Sequence, residues 1–208
     1  MVDTIEFWFD FSSPYAYFAA IEVDERLGRF GRPIAWRPFL LGVIFQKTGM
    51  GPLNHMPLRG DYARHDWIRI AAMLNVPFTL RDDHPMPSQS LARAYYWFLE
   101  RQADQAAPFA RAAFDAYFGR GIDLHAVEAV VSLARGFTEE HDALARWLAG
   151  AEAKLVLRER TAEALAKGIF GSPFFLIDGE PFWGWDRLSM AEAWLNNPTW
   201  RRSQITAG

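Results

Sequence analysis

Apolar residues crowd the segment Ile5-Glu6-Phe7-Trp8-Phe9-Asp10, and so short and dense a run predicts a buried strand. Ser12-Ser13-Pro14 follows, with a serine suited to a helix N-cap and a proline suited to the first helical position. A helix is therefore expected from Pro14 to about Leu27, stopped by Gly28. A second strand is expected over Pro33-Ile34-Ala35-Trp36-Arg37-Pro38, and the helix between suits a parallel β-α-β unit. From Leu40 to about Arg59 the glycines at 42, 49 and 51 and the prolines at 52 and 57 predict a loop. The next hundred residues read as helical. Leu91, Tyr95, Phe98 and Leu99 fall on one helical face, and further helices are expected over 61–74, 106–118, 123–134, 138–149 and 151–167. Strand patterning returns at Pro173-Phe174-Phe175-Leu176-Ile177, where Asp178-Gly179 predicts a hairpin turn into a strand from Glu180 to Trp183. A last helix is expected from about Arg187 to Leu195, ending near Asn196-Asn197-Pro198.

The order β-α-β, helical block, β-β-α predicts an α/β fold: a thioredoxin-like sheet with an all-helical domain inserted in its middle. The sheet domain is expected over residues 1–59 and 168–208, and the insertion over 60–167. Composition narrows the function. Half of the 208 residues are hydrophobic, which suffices for a sizeable core. A formal net charge of -3 gives no reason to expect a nucleic-acid partner. No apolar run reaches the roughly 20 residues of a membrane span, and the opening residues show no signal peptide, so a cytoplasmic protein without a membrane partner is expected. There is no cysteine, which excludes a dithiol redox enzyme and any cysteine nucleophile. The 9 tryptophans and 17 phenylalanines fit either an aromatic core or a small-molecule pocket lined by rings.

Three stretches could carry chemistry. Ser13 stands after a strand at a helix start, where free N–H groups and the helix dipole favour an anion. Its hydroxyl could donate to the sulfur of a thiol brought from outside, or it could simply cap the helix. Ser172-Pro173 precedes the third strand. A cis bond there would leave the Ser172 N–H and C=O free to pair with an extended peptide, whereas a trans proline would only start an edge strand. Asp186, in Trp183-Gly184-Trp185-Asp186-Arg187, could accept an amino group or cap the final helix. The histidines at 55, 65, 84, 125 and 141 show no metal-ligand spacing; His84, the best of them, fits a polar loop. No phosphate-binding glycine loop and no nucleophile elbow is present.

Together these stretches resemble the 2-hydroxychromene-2-carboxylate isomerase family. The resemblance rests on Phe7-Trp8-Phe9-Asp10-Phe11-Ser12-Ser13-Pro14-Tyr15-Ala16-Tyr17, on Trp36-Arg37-Pro38-Phe39-Leu40-Leu41-Gly42, and on the stretch from Gly168 to Leu188. That family is similar to kappa-class glutathione transferases and DsbA-type oxidoreductases. The resemblance implies glutathione as cofactor, a small aromatic substrate and a homodimer. It also implies that Ser13 faces the glutathione sulfur as the catalytic residue, with Pro14, Tyr15, Arg59, Ser172, Pro173, Trp185 and Asp186 around the cofactor. Arg59 would meet the glycyl carboxylate, although a solvated loop arginine reads equally well. The implied reaction interconverts 2-hydroxychromene-2-carboxylate and trans-o-hydroxybenzylidenepyruvate through reversible thiolate addition. A kappa-like transferase and a non-catalytic glutathione- or peptide-binding module are the alternatives. Two departures stand out: Gly49-Met50 where relatives commonly have Gly-Asn, and Pro87-Ser88-Gln89-Ser90 where they often have Pro-x-Asn-Ser.

Overall fold

The computed structural model describes residues 4–197, so the ends of the expected sheet domain (1–3 and 198–208) and Pro198 lie outside the described residues. Four strands form one sheet: β1 (Ile5–Phe9), β2 (Ile34–Pro38), β3 (Phe174–Ile177) and β4 (Glu180–Trp183). The spatial order is β2-β1-β3-β4, with β1 parallel to β2 and antiparallel to β3, and β3 antiparallel to β4. Helix α1 (Pro14–Gly28) makes the crossover between the parallel pair. Asp178 and Gly179 both take positive φ, at 57° and 85°, as a tight two-residue hairpin turn requires.

β1 is buried on both faces, which explains its nearly unbroken apolar run. On one face Phe7 lies level with Trp36 and Phe175, and Phe175 with Phe182, an aromatic row across all four strands. On the other face Trp8 packs with Phe39, Ile44, Ala164, Ile169 and Phe174. Its indole N–H donates to Glu6, which also accepts from Lys167.

Leu41–Thr48 forms a helix, α2, and Leu53–His55 a 3-10 turn, where a loop was expected. The glycines bound the helix rather than break it: Gly42 sits in the first turn and Gly49 ends it at φ 72°. The long insertion carries α3 (Arg59–Leu74), α4 (Gln89–Arg101), α5 (Ala103–Phe114), α6 (Val127–Ala134), α7 (His141–Ala149) and α8 (Ala151–Ala166). A π turn over Asp115–Gly119 extends α5. Leu99 leaves the expected buried face of α4; Ala92, Ala94, Tyr96 and Trp97 are buried instead, so α4 is covered over a wide arc. Tyr95 and Tyr96 donate to the carbonyls of Trp36 and Pro38, tying α4 to the end of β2. Phe114 packs on Phe9 and Phe11, and Arg111 pairs with Asp24 on α1. A 3-10 turn (Trp185–Arg187) leads into α9 (Leu188–Asn196), which packs on α1. No helix among the described residues is long and apolar enough to cross a membrane.

Candidate functional site

The chain segments leaving β1 and β2 and the segment before β3 meet at one end of the sheet. Asp10, 2 % exposed, ends β1 and holds this junction. One carboxylate oxygen accepts from the N–H and hydroxyl of Ser12, each at 2.8 Å, and the other from Leu41 N–H at 2.7 Å. Both α1 and α2 thus start beside the same acid. Ser13 is the N-cap of α1 and accepts from Ala16 N–H at 3.2 Å, while Pro14 occupies the first turn. The Ser13 hydroxyl donates to the carbonyl of Ser172 at 2.8 Å, and the Ser172 hydroxyl accepts from Asp10 N–H at 2.8 Å.

The Ser172–Pro173 bond is cis. Its expected consequence holds in part only. The Ser172 carbonyl is engaged by Ser13, whereas the Ser172 N–H makes no hydrogen bond among the described residues. Gly171 lies against the indole of Trp183, where a Cβ would collide with the indole nitrogen.

These segments wall a cavity of about 870 Å³. Ser13, Pro14, Tyr15, Arg59, Ser172, Trp185 and Asp186 all line it; Pro173 is not in its wall. Tyr15 donates to Asp66 at 2.9 Å, and burial together with that carboxylate raises its phenol, so it stays protonated. Arg59, the first residue of α3, is exposed, and its guanidinium makes one hydrogen bond among the described residues, to the sulfur of Met56. Trp185 donates to Glu22 and packs on Phe18. Asp186 caps nothing: it pairs with the neighbouring Arg187, and the residue before α9 makes no side-chain cap. The capping alternative for Asp186 is therefore corrected, because its carboxylate turns toward Arg187 and Gly184 instead.

Two further residues of the wall escaped the sequence. Met50 stands where an amide was missed, half exposed at the cavity, but Asn54 lies in the same wall, buried, with its amide donating to the His84 carbonyl at 3.0 Å. The start of α3 presses on this turn: a Cβ on Gly60 would come 2.7 Å from the Asn54 carbonyl oxygen. His84 lies in a loop, as expected, but it is only 6 % exposed there, enclosed by Trp67, Tyr117 and Phe118. That burial pushes its pKa down to about 4. The short spacing of Asp82-Asp83-His84 hides the burial, which comes from rings distant in the chain. Elsewhere, Asp83, Asp123 and His125 lie close enough together to hold an ion, but Arg81 already pairs with both carboxylates.

A thioredoxin-type sheet, an inserted helical block and a cavity over the start of α1 define a protein of the thioredoxin superfamily. Residues 4–196 match the family described as DSBA-like thioredoxin domain. The 2-hydroxychromene-2-carboxylate isomerase of Sphingobium xenophagum is 30 % identical over 94 % of this chain and 99 % of its own. Glutathione S-transferase kappa 2 of Caenorhabditis elegans is 26 % identical over 93 % of this chain and 92 % of its own. A solved 2-hydroxychromene-2-carboxylate isomerase superposes with a TM-score of 0.84 at 24 % identity, covering 99 % of this chain and 100 % of that one. The chain belongs to the DSBA-like thioredoxin family and, within it, to the 2-hydroxychromene-2-carboxylate isomerase family.

One expectation is corrected here. Reversible thiolate addition does not stand as the reaction: the chain contains no cysteine, so none of its groups can perform it. The one hydroxyl proton of Ser13 is moreover given to Ser172 rather than held for an incoming sulfur. What the relatives support is chemistry of the isomerase type, without that step.

Proposed function

We propose that the protein is an isomerase of a small aromatic substrate that binds glutathione as its cofactor. The observation that carries this reading is the unpaired Ser172 N–H beside a large cavity whose rim carries Arg59. An extended tripeptide can accept from that N–H, as a strand added to a sheet edge does. Its glycyl carboxylate then meets the Arg59 guanidinium, which has no carboxylate partner of its own. Its γ-glutamyl end lies toward Trp185 and Asp186, and Asp186 accepts from the α-amino group. Ser13 and Pro14 shape the floor beneath, and Tyr15 borders the compartment left for the substrate. Lined by Trp67, Ile70 and Met86, that compartment suits an aromatic ring. By analogy with the named relatives the substrate is 2-hydroxychromene-2-carboxylate or a close analogue. Homodimeric assembly and a cytoplasmic location belong to the same reading.

Calorimetry with glutathione tests it. Wild type binds at sub-millimolar concentration, and Arg59→Ala weakens binding about tenfold, the size of one charge-assisted hydrogen bond. Added 2-hydroxychromene-2-carboxylate is then isomerised without loss of glutathione from solution. No binding at millimolar glutathione, or consumption of one glutathione per turnover, overturns the proposal.

A further inference from the structure

His84 is a buried titratable group in the cavity wall that nothing above employs. Its surroundings determine which of its ring nitrogens carries hydrogen. Nδ1 lies 3.3 Å from the Tyr117 hydroxyl. Tyr117 stays protonated, since burial pushes its pKa up to about 12, so its hydroxyl has a proton to donate. Directed at Nδ1, the ring nitrogen within reach, that proton satisfies the phenol. Nδ1 is thereby an acceptor, and in a neutral ring Nε2 must then bear the hydrogen. Nε2 makes no hydrogen bond among the described residues, yet it is not sealed off from solvent, and His84 lines the cavity whereas Tyr117 does not. The Nε2 edge is thus the one that faces the open space.

The ring is also held in place. Trp67 meets it edge-on at 6.2 Å and Phe118 at 5.8 Å, and its backbone carbonyl accepts from Asn54. Burial above all keeps it neutral, with the neighbouring His55 and Arg64 opposing a proton and Asp83 favouring one. A fixed neutral N–H donor in a compartment lined by Trp67, Ile70 and Met86 asks for a ligand with a ring and an acceptor oxygen.

We propose that His84 is a substrate-binding residue, whose Nε2–H donates to an oxygen of an aromatic ligand seated between Trp67 and Met86. This deepens the reading of the cavity as an aromatic substrate site and rests on it. The role is one of orientation: the donor fixes which end of the ring points into the compartment, and no proton is transferred.

Nitrogen-15 NMR of histidine-labelled protein reads the tautomer directly, without glutathione present. The expected result is a neutral ring with hydrogen on Nε2 between pH 6 and 8, and a Tyr117→Phe variant that loses this single tautomer. The probe 2-hydroxycinnamate then shifts the Nε2 signal, and His84→Phe weakens its binding about tenfold while His84→Gln, which keeps an N–H donor, recovers most of it. Glutathione affinity is the same in all three. Hydrogen on Nδ1, or probe binding unchanged in His84→Phe, overturns the proposal. Should the substitution prevent folding, the wild-type tautomer and the probe-induced shift decide alone. A failure of glutathione to bind wild type, by contrast, sinks the cofactor reading and leaves the tautomer result standing.

Discussion

One hydroxyl at position 13 serves two elements. It accepts from Ala16 N–H as the cap of α1 and donates across the sheet end to Ser172. Removing it leaves the buried Ser172 carbonyl without its donor and takes from Ala16 N–H one of its two acceptors, so Ser13→Ala is expected to cost about 1–3 kcal/mol in urea unfolding. Ser13→Thr, which keeps the hydroxyl, should cost less than half of that. His84 gives the residue scale a second, pH-dependent outcome. Its ring is neutral in the folded state down to about pH 4, while an unfolded histidine takes up a proton near pH 6.5. The unfolded chain therefore binds more protons between those values, and stability must fall as pH drops from about 6.5 to about 4. The loss attached to this one side chain is at most about 3 kcal/mol. A His84→Gln variant should show a flatter stability profile over that window, measured by denaturant titration at several pH values. Parallel profiles for the two proteins would mean that the ring takes up its proton at the same pH folded and unfolded.

Among the elements, those with dense local signals were legible in the sequence and those shaped by contacts were not. β1 reads correctly because both of its faces are buried, and the cap of α1 because Ser13-Pro14 is a local signal. Helix α2 was hidden because its two glycines look the same in sequence whether they end a helix or interrupt one. The start of α3 shows the opposite dependence. Gly60 is there because the helix runs against the carbonyl of Asn54, a contact formed across the 3-10 turn. A methyl group at 2.7 Å from that oxygen cannot be accommodated by a flexible side chain moving aside, since the obstacle is backbone. Gly60→Ala is accordingly expected to lose about 1–3 kcal/mol and to lower the melting temperature. The same displacement acts on Asn54, which holds the His84 carbonyl, so binding of 2-hydroxycinnamate should weaken as well. A variant with reduced stability but intact probe affinity would separate the turn from the site.

At the scale of the whole molecule, the site is assembled from four separated stretches: 10–15, 40–70, 84–89 and 170–187. The sequence pointed to the first and last because serine before proline is visible locally. It undervalued the third, because what buries His84 is Trp67 from one helix and Tyr117 and Phe118 from the turn after another. The helical block is therefore part of the site, and its attachment to the sheet matters to the cavity. Two phenols make that attachment: Tyr95 to Trp36 at 2.9 Å and Tyr96 to Pro38 at 2.7 Å, both buried. Pro38 ends β2, and α2, which supplies Leu41, Gly42, Val43, Phe45 and Gln46 to the cavity, begins three residues later. Tyr96→Phe leaves the Pro38 carbonyl buried without its donor, at a cost of about 1–3 kcal/mol. If the tie positions α2, amides of 41–48 should exchange with solvent faster in the variant relative to those of α9, which packs on α1 at a distance from it. Glutathione, which the proposed function seats on the same floor, should bind more weakly in proportion. Uniform acceleration across both helices would show that the phenol stabilises the molecule as a whole, and that α2 is held by Asp10 and the core around Trp8 alone.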